Sequence, residues 1–292
     1  MCGIVGLYCK SPELEPSLGA YLSAMLEQMN DRGPDSAGVA IYRNPAADGQ
    51  TKLTLYSTDP AFDWTQVGDV TDVRARHAVV LVDGDADEAE AAVRSRFPGL
   101  KVMSAGRSIE IYKEVGLPSA FAAEFRLHEF EGTHGLGHTR MATESRVTTE
   151  GSHPFSTGRD LCLVHNGSLS NHNRLRERLR AEGLVFQTEN DTEVAAAYLT
   201  WRLREGDALE PALESCLDEL DGFYTFLVGT ADGFAVLRDP VACKPAVLAE
   251  TDDWVAMASE YRAIAVLPGA ADAAIWEPEP SVVYAWEKEL VR

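Results

Sequence analysis

The sequence predicts an α+β fold in which antiparallel β-sheets are covered by α-helices. Candidate strands cluster towards both ends of the 292-residue chain, and candidate helices lie between them. Neighbouring strands are joined by short turns, as at 231–233, where Ala-Asp-Gly separates two apolar runs. This order differs from the regular alternation of strand and helix that builds a parallel sheet.

The spacing of apolar residues defines the first elements of the chain. A buried strand is expected at 4–8, followed by a helix that begins at Leu18 with Ser17 as its N-cap. Apolar residues alternate over 37–41, which predicts a half-buried strand. Its expected hairpin partner is the strand at 53–56.

Residues 58–130 are expected to form a small α/β lobe inserted in a main domain that spans 1–292. The order of elements within this segment is strand, helix, strand, strand, helix. The remaining expected strands lie at 132–138, 161–165, 223–228, 234–237, 247–249, 255–258 and 282–286, and the remaining helices at 171–182, 191–204 and 208–220.

Composition and charge exclude several classes of function. The chain is 45% hydrophobic and carries a formal charge of −20, which opposes binding to nucleic acid or to an anionic membrane. No apolar run approaches the ~20 residues of a membrane span, and the N-terminus does not resemble a secretory signal. We therefore expect a cytoplasmic protein.

Metal and cofactor sites are not indicated. The five cysteines are widely spaced, and no C-x-x-C is present, so neither a disulfide framework nor a zinc site is expected. His134 and His138 are four residues apart but have no acidic ligand placed with them. No nucleotide-binding glycine loop occurs. We therefore predict that the protein uses no cofactor.

Cys2 is the first candidate for catalysis. If Met1 is removed, Cys2 carries a thiol and a free α-amine on the same carbon. The amine has a reference pKa of about 7.7–8.0, so that it can take the thiol proton and later return it to a leaving group. The alternative is that the chain begins Met-Cys by accident.

Four further residues in three motifs suit the binding of a small polar substrate and the stabilisation of an oxyanion. Arg140, at the end of a predicted strand, could clamp a carboxylate, or it could form a surface ion pair. Asn166 and Gly167 provide two adjacent donors suited to an oxyanion, although Asn-Gly is also common in turns. Asp191 could hold an ammonium group or cap the helix that follows.

Together these residues belong to an ordered set of motifs that resembles class II glutamine amidotransferases. The resemblance covers most of the chain except 58–130. The motifs are Met-Cys-Gly-Ile-Val-Gly at 1–6, Arg-Gly-Pro-Asp-Ser-Ala-Gly at 32–38, His-Thr-Arg-Met-Ala-Thr at 138–143, Ser-His-Pro-Phe at 152–155, His-Asn-Gly at 165–167, Asp-Thr-Glu at 191–193, Arg-Asp-Pro at 238–240, Lys-Pro at 244–245 and Ala-Ser-Glu at 258–260.

The resemblance implies a fold and a set of residue roles. The fold would be the N-terminal-nucleophile sandwich, with two antiparallel sheets between helical layers in the order αββα. Cys2 would be the nucleophile, and Asn166 with Gly167 would form the oxyanion hole. The glutamine-binding residues would be Arg140 for the α-carboxylate, Asp191 for the α-ammonium, Thr143 near the substrate, and Arg32, which with the loop 141–153 would shape or cover the pocket.

The resemblance also implies L-glutamine as substrate and a partner protein. In most relatives the domain that consumes ammonia is fused to the glutaminase, whereas here the last motif lies close to Arg292. We therefore expect a hetero-oligomer with a separate synthase subunit, of the glutamate synthase or N-methylglutamate synthase type. Two alternatives remain: an N-terminal-nucleophile amidohydrolase acting on another amide, and a non-catalytic regulatory subunit.

Overall fold

The computed structural model describes residues 2–142 and 147–288. Within these residues the chain forms sixteen β-strands and seven α-helices. The strands are β1 (Gly3–Cys9), β2 (Ser36–Tyr42), β3 (Gln50–Ser57), β4 (Asp69–Arg74), β5 (His77–Asp83), β6 (Leu100–Gly106), β7 (Ile109–Val115), β8 (His134–Arg140), β9 (Phe155–Gly158), β10 (Leu161–Leu169), β11 (Gly222–Gly229), β12 (Gly233–Arg238), β13 (Val247–Glu250), β14 (Trp254–Ala258), β15 (Ala274–Trp276) and β16 (Val283–Glu287). The helices are α1 (Leu18–Glu27), α2 (Ala86–Arg96), α3 (Pro118–Glu124), α4 (His172–Ala181), α5 (Asp191–Arg204), α6 (Leu209–Glu219) and α7 (Tyr261–Ile264).

Three sheets contain all of these strands. The largest has seven strands in the order β15-β13-β14-β1-β8-β2-β7, and the second has five in the order β16-β12-β11-β10-β9. The third sheet has four strands in the order β4-β5-β3-β6. Every pairing of these strands is antiparallel. The predicted α+β class with antiparallel sheets is therefore confirmed.

The two larger sheets pack face to face, with helices on both outer faces. Buried side chains such as Ile4 and Leu136 from one sheet and Val164 and Leu227 from the other form the layer between them. Helices α1, α3 and α7 cover the seven-stranded sheet, and α4, α5 and α6 cover the five-stranded sheet. This is the four-layer αββα sandwich that the resemblance to class II glutamine amidotransferases implies. No helix within 2–142 or 147–288 is long and apolar enough to cross a membrane.

The third sheet packs against α2 and changes the expected pairing of one strand. Strand β3 was predicted to be the hairpin partner of the strand at 37–41, and this prediction was wrong. Strand β2 instead pairs with β7 and β8, while β3 lies between β5 and β6. The apolar alternation in β3 places Leu53 and Leu55 against Val80 and Val93, so the pattern reports burial on one face but does not specify a partner strand.

That residues 58–130 form a separate structural unit stays a prediction. The strands of the third sheet come from residues between Gln50 and Gly106. Strand β7 and helix α3, from the later part of the expected lobe, pack with the seven-stranded sheet and α1.

His77 is a buried histidine on β5 that has no hydrogen-bond partner among the described residues. Neither ring nitrogen is bonded, and the side chain has 0% exposure. Aromatic rings surround it, with centroids at 5.1 Å for Tyr56, 5.2 Å for Phe125 and 6.0 Å for Tyr112. Burial lowers the pKa of His77 to about 3, and the positive charges of Lys113 and Arg76 act in the same direction. The imidazole is therefore neutral and unsatisfied in the folded protein.

Replacing His77 with phenylalanine is expected to stabilise the fold. At pH 8 the free energy of unfolding should rise by about 1–3 kcal/mol, because the substitution removes a buried polar ring that has no partner. Below pH 6.5 the histidine of the wild-type protein binds a proton in the unfolded state but not in the native state, so the wild type loses stability as the pH falls towards 3. The gain from His77→Phe should therefore be larger at pH 5 than at pH 8.

Urea denaturation at the two pH values measures this difference. The control is His128→Phe, at an exposed position, which should leave the stability nearly unchanged. Equal stability of His77→Phe and wild type at pH 5 would contradict the proposed cost of this buried ring.

Candidate active site

The candidate residues meet at one end of the space between the two large sheets. Cys2 directly precedes β1, and Arg140 is the last residue of β8. These strands are antiparallel neighbours with Gly3 opposite Thr139, which brings Cys2 beside Arg140. The resulting cleft has a volume of about 570 Å³. It is lined by Cys2, Arg140, Met141, Ala142, His153, His165, Asn166, Gly167, Ser168, His172, Glu189, Asn190, Asp191, Thr192, Phe223 and Lys244.

The backbone of Cys2 is held through its carbonyl group. Arg32 donates from Nε to the Cys2 carbonyl oxygen at 3.0 Å, and Asn166 donates from Nδ2 to the same oxygen at 3.3 Å. The thiol lies 3.8 Å from the carbonyl oxygen of Met141. The main chain of Cys2 is thus anchored, and its side chain lines the cleft.

Arg140 places a buried guanidinium at the cleft. Its side chain is 6% exposed, and Nη1 donates to the carbonyl oxygen of Gly151 at 3.2 Å. Burial lowers the pKa of Arg140 from its ordinary value, whereas electrostatic interactions with Cys2, Asp191 and Asp35 act in the opposite direction. Arg140 therefore interacts electrostatically with both the cysteine and the acidic residue of the predicted site.

Asn166 and Gly167 lie inside β10, so the alternative that they form an ordinary turn is wrong. They are paired with Thr225 and Tyr224 of β11. Gly167 has φ +156°, and a Cβ atom there would lie 2.0 Å from the carbonyl oxygen of Phe223. Glycine is therefore required at position 167 by the close approach of two backbones.

Asp191 is the first residue of α5 but not its cap. Asn190 is the N-cap and accepts from Thr192 N at 2.9 Å, so the alternative that Asp191 caps the helix is wrong. Asp191 Oδ2 accepts from Leu169 N at 2.9 Å, and its side chain is 23% exposed. The carboxylate is thus fixed at the wall of the cleft.

Three buried histidines were not predicted individually as site residues, and two of them, His153 and His165, line the cleft. His153 Nε2 lies 2.7 Å and His165 Nδ1 lies 3.0 Å from the hydroxyl oxygen of Thr192. The rings of His138 and His153 stack with centroids 3.9 Å apart. Burial lowers the pKa of all three histidines. The motifs contain these residues, but only the tertiary structure brings His153 and His165 to one hydroxyl group and His138 Nε2 to within 3.0 Å of the His165 carbonyl oxygen.

Arg32 and Thr143 are the two predicted site residues that are not among the described residues lining the cleft. Arg32 lies beside the backbone of Cys2 and is not among the described residues that line the cleft. Its Nη1 is 2.5 Å from Glu260 Oε1, and Glu260 Oε2 is also 2.7 Å from Arg262 Nε. The structure therefore places Arg32 as a support for Cys2. Thr143 lies outside the described residues.

Cavity size alone does not identify the site. A larger cavity of about 1120 Å³ lies at the opposite end of the sandwich and includes Tyr8, Asp160 and Trp286 in its lining. None of the candidate site residues that the structure describes lines it. Over 2–142 and 147–288, no cluster of at least three His, Cys, Asp or Glu side chains is arranged to hold a metal ion.

Comparisons with known proteins bear on the family of this chain. The sequence pattern of the glutamine amidotransferase domain matches residues 138–266. Glutamine amidotransferase-like protein GlxB of Rhizobium meliloti (strain 1021) is 55% identical over 99% of this chain and 99% of its own length. The chain belongs to the class II glutamine amidotransferase family. This confirms the resemblance that the sequence motifs predicted.

Further amidotransferases extend the comparison. A putative glutamine amidotransferase of Methanothermobacter thermautotrophicus is 32% identical over 89% of this chain and 92% of its own length. The structure of glutamine phosphoribosylpyrophosphate amidotransferase from B. subtilis matches with a TM-score of 0.65 and 21% identity, over 99% of this chain and 48% of that chain. This likeness concerns the fold of the amidotransferase.

Proposed function

We propose that this amidotransferase is a glutaminase that hydrolyses L-glutamine through the thiol of Cys2. The observation that carries the proposal is the meeting of four chemical functions in one cleft of about 570 Å³. The cleft contains a thiol, two candidate oxyanion donors, a buried cation and a carboxylate. A free amino acid with a side-chain amide has one group for each of them.

The charged residues suit the two ends of an α-amino acid. The planar guanidinium of Arg140 can donate two parallel hydrogen bonds to an α-carboxylate. The carboxylate of Asp191 accepts from an α-ammonium. Because both residues line the cleft that contains Cys2, glutamine bound between them would extend its side-chain amide towards the thiol.

The reaction requires the α-amine of Cys2 to be free after removal of Met1. The amine accepts the thiol proton while sulfur forms a bond to the amide carbon of glutamine. Asn166 Nδ2 and the Gly167 N–H stabilise the oxyanion. The C–N bond then breaks, the leaving nitrogen takes the proton from the α-amine, and ammonia departs. Water hydrolyses the remaining thioester to glutamate and regenerates the thiol.

We infer that ammonia passes to a synthase subunit on a separate chain. GlxB matches this chain over 99% of its own length, whereas the B. subtilis phosphoribosylpyrophosphate amidotransferase extends well beyond the matched 48%. Because the proposed reaction releases ammonia, we propose that a synthase consumes it within a hetero-oligomer of the glutamate synthase or N-methylglutamate synthase type. Purification from native cells followed by identification of the bound chain tests this inference.

Release of ammonia and glutamate from glutamine tests the proposed activity. A panel of peptide and acyl amides distinguishes glutaminase from an amidohydrolase with another substrate, and turnover of these amides in place of glutamine would contradict the proposal. Intact-mass analysis should find Cys2 at the N-terminus. Full activity of a protein that retains Met1 would contradict the role of the α-amine.

Replacing Arg140 with lysine is expected to weaken glutamine binding. KM should rise about tenfold to a hundredfold with little change in kcat, because a forked donor is replaced by a point charge. Steady-state kinetics with glutamine measures both constants. The control is Arg159→Lys, whose side chain is 52% exposed and pairs with Asp85 outside the cleft. An unchanged KM would remove Arg140 from the carboxylate site.

A further inference from the structure

Lys113 on β7 is a buried lysine held by the backbone of one loop. Its side chain is 3% exposed, and Nζ donates to the carbonyl oxygens of Glu150 at 3.1 Å, Ser152 at 2.8 Å and Pro154 at 3.1 Å. The ammonium also lies 4.5 Å from the centroid of the Phe155 ring. An ammonium group has three donors, so each of them has an acceptor in the 147–154 loop.

The 147–154 loop also contacts both sides of the glutamine site. The carbonyl oxygen of Gly151 accepts from Arg140 Nη1 at 3.2 Å and from Asn190 Nδ2 at 3.3 Å. Arg140 provides the proposed carboxylate clamp, and Asn190 caps the helix that begins with Asp191. The carbonyl groups of 150 and 152 are therefore bound to Lys113, while the carbonyl group between them is bound to the site.

We propose that Lys113 is a positioning residue for the α-carboxylate site of glutamine. By fixing the carbonyl groups on either side of Gly151, it fixes the acceptor that orients the guanidinium of Arg140. This inference rests on the proposed glutaminase function. Lys113 itself is not among the described residues that line the cleft, so it acts through the loop and does not touch the substrate.

The three carbonyl contacts account for a lysine at this buried position, although burial lowers the pKa of Lys113 to about 7. Removing the ammonium would leave three carbonyl oxygens without that donor, and the loop would have to shift to reach other donors. A shift of Gly151 would release its hydrogen bond to Arg140. Because the guanidinium binds carboxylate in a planar and directional way, its reorientation would weaken binding.

The principal test compares Lys113→Met with a matched control, Lys52→Met. Lys52 is also 3% exposed, and its Nζ donates to Glu110 at 3.0 Å and to the carbonyl oxygen of Arg43 at 2.8 Å, but it lies in the third sheet. Both substitutions should lower the thermal midpoint. Only Lys113→Met should raise the KM for glutamine, by roughly three- to thirty-fold, with kcat nearly unchanged.

Two further measurements separate positioning from a general loss of stability. The substrate 4-aminobutanamide is glutamine without its α-carboxylate, and wild type and Lys113→Met should hydrolyse it at equal rates. In the double variant with Arg140→Lys, the effects on KM should be less than additive, because both substitutions disturb the same clamp. A wild-type KM in Lys113→Met, or an equal KM effect in Lys52→Met, would overturn the inference.

A second variant keeps the inference testable if Lys113→Met does not fold. Thr149 donates from its hydroxyl to Glu114 Oε1 at 2.5 Å and ties the same loop to β7. Thr149→Val should raise KM in the same direction by a smaller factor, and an unchanged KM would overturn the inference. Lack of glutamine turnover by the wild type would contradict the proposed function instead. The affinity for glutamate, measured by calorimetry, would then test Lys113 independently.

Discussion

Replacing Cys2 with alanine is expected to abolish glutamine hydrolysis without unfolding the protein. The loss of kcat/KM should be on the order of 10⁴-fold or more, as for the removal of other covalent nucleophiles. The carbonyl contacts from Arg32 and Asn166 do not involve the side chain, so they remain in the variant. The thiol is 3.8 Å from Met141 O, a contact that adds little stability.

Ammonia release and the thermal midpoint should be measured on the same preparation of the Cys2→Ala variant. The control is Cys243→Ala, which removes an exposed thiol that does not line the cleft. We expect this control to keep wild-type turnover. Substantial turnover by Cys2→Ala would show that the reaction does not pass through a thioester on this sulfur.

Replacing Asn166 with alanine should lower kcat by roughly 10²–10³ and change KM little. The donor acts on charge that develops during attack, so its loss affects the transition state more than bound glutamine. In the structure Nδ2 lies 3.3 Å from the carbonyl oxygen of Cys2, which directs the amide towards the nucleophilic residue. Asn166→Asp should show a similar loss, because the acid has no amide donor.

Steady-state kinetics with glutamine separates the two constants. Asn171→Ala is a matched control, because it also removes an amide that donates to a backbone carbonyl oxygen, that of Glu219 at 2.8 Å. This site lies at the start of α4, and Asn171 is not among the described residues that line the cleft. A change confined to KM in Asn166→Ala would assign this residue to binding and remove it from the oxyanion hole.

The main features of the fold were predictable because they depend on local patterns. Apolar periodicity predicted antiparallel sheets covered by helices, the family resemblance implied the αββα order of the layers, and the structure has both. The pairing of β3 was not predictable in the same way. Its alternation shows that one face is buried, but several strands can provide that burial, and the choice depends on contacts distant in sequence.

The candidate site likewise has features that the sequence predicted and features that it did not. The sequence analysis selected five residues by the chemistry of their side chains or, for glycine, of the backbone N–H: Cys2, Arg140, Asn166, Gly167 and Asp191. The structure brings all five to one cleft, while their catalytic and binding roles stay proposals. Asn190, and not Asp191, caps helix α5. A difference of one residue in where the helix begins decides which side chain reaches its first N–H groups.

The sequence by itself determined the family, the layered α+β class and the residue types at the site. Only the tertiary structure decided which residues support them, including Arg32 beside Cys2, Thr192 between two histidines, and Lys113 behind Gly151. The physical reason for this difference is that a motif contains only residues that are neighbours in the sequence, so it indicates only their own chemistry. A supporting contact depends on hydrogen bonds between strands and loops far apart in the chain, and these form only when the sheets pack.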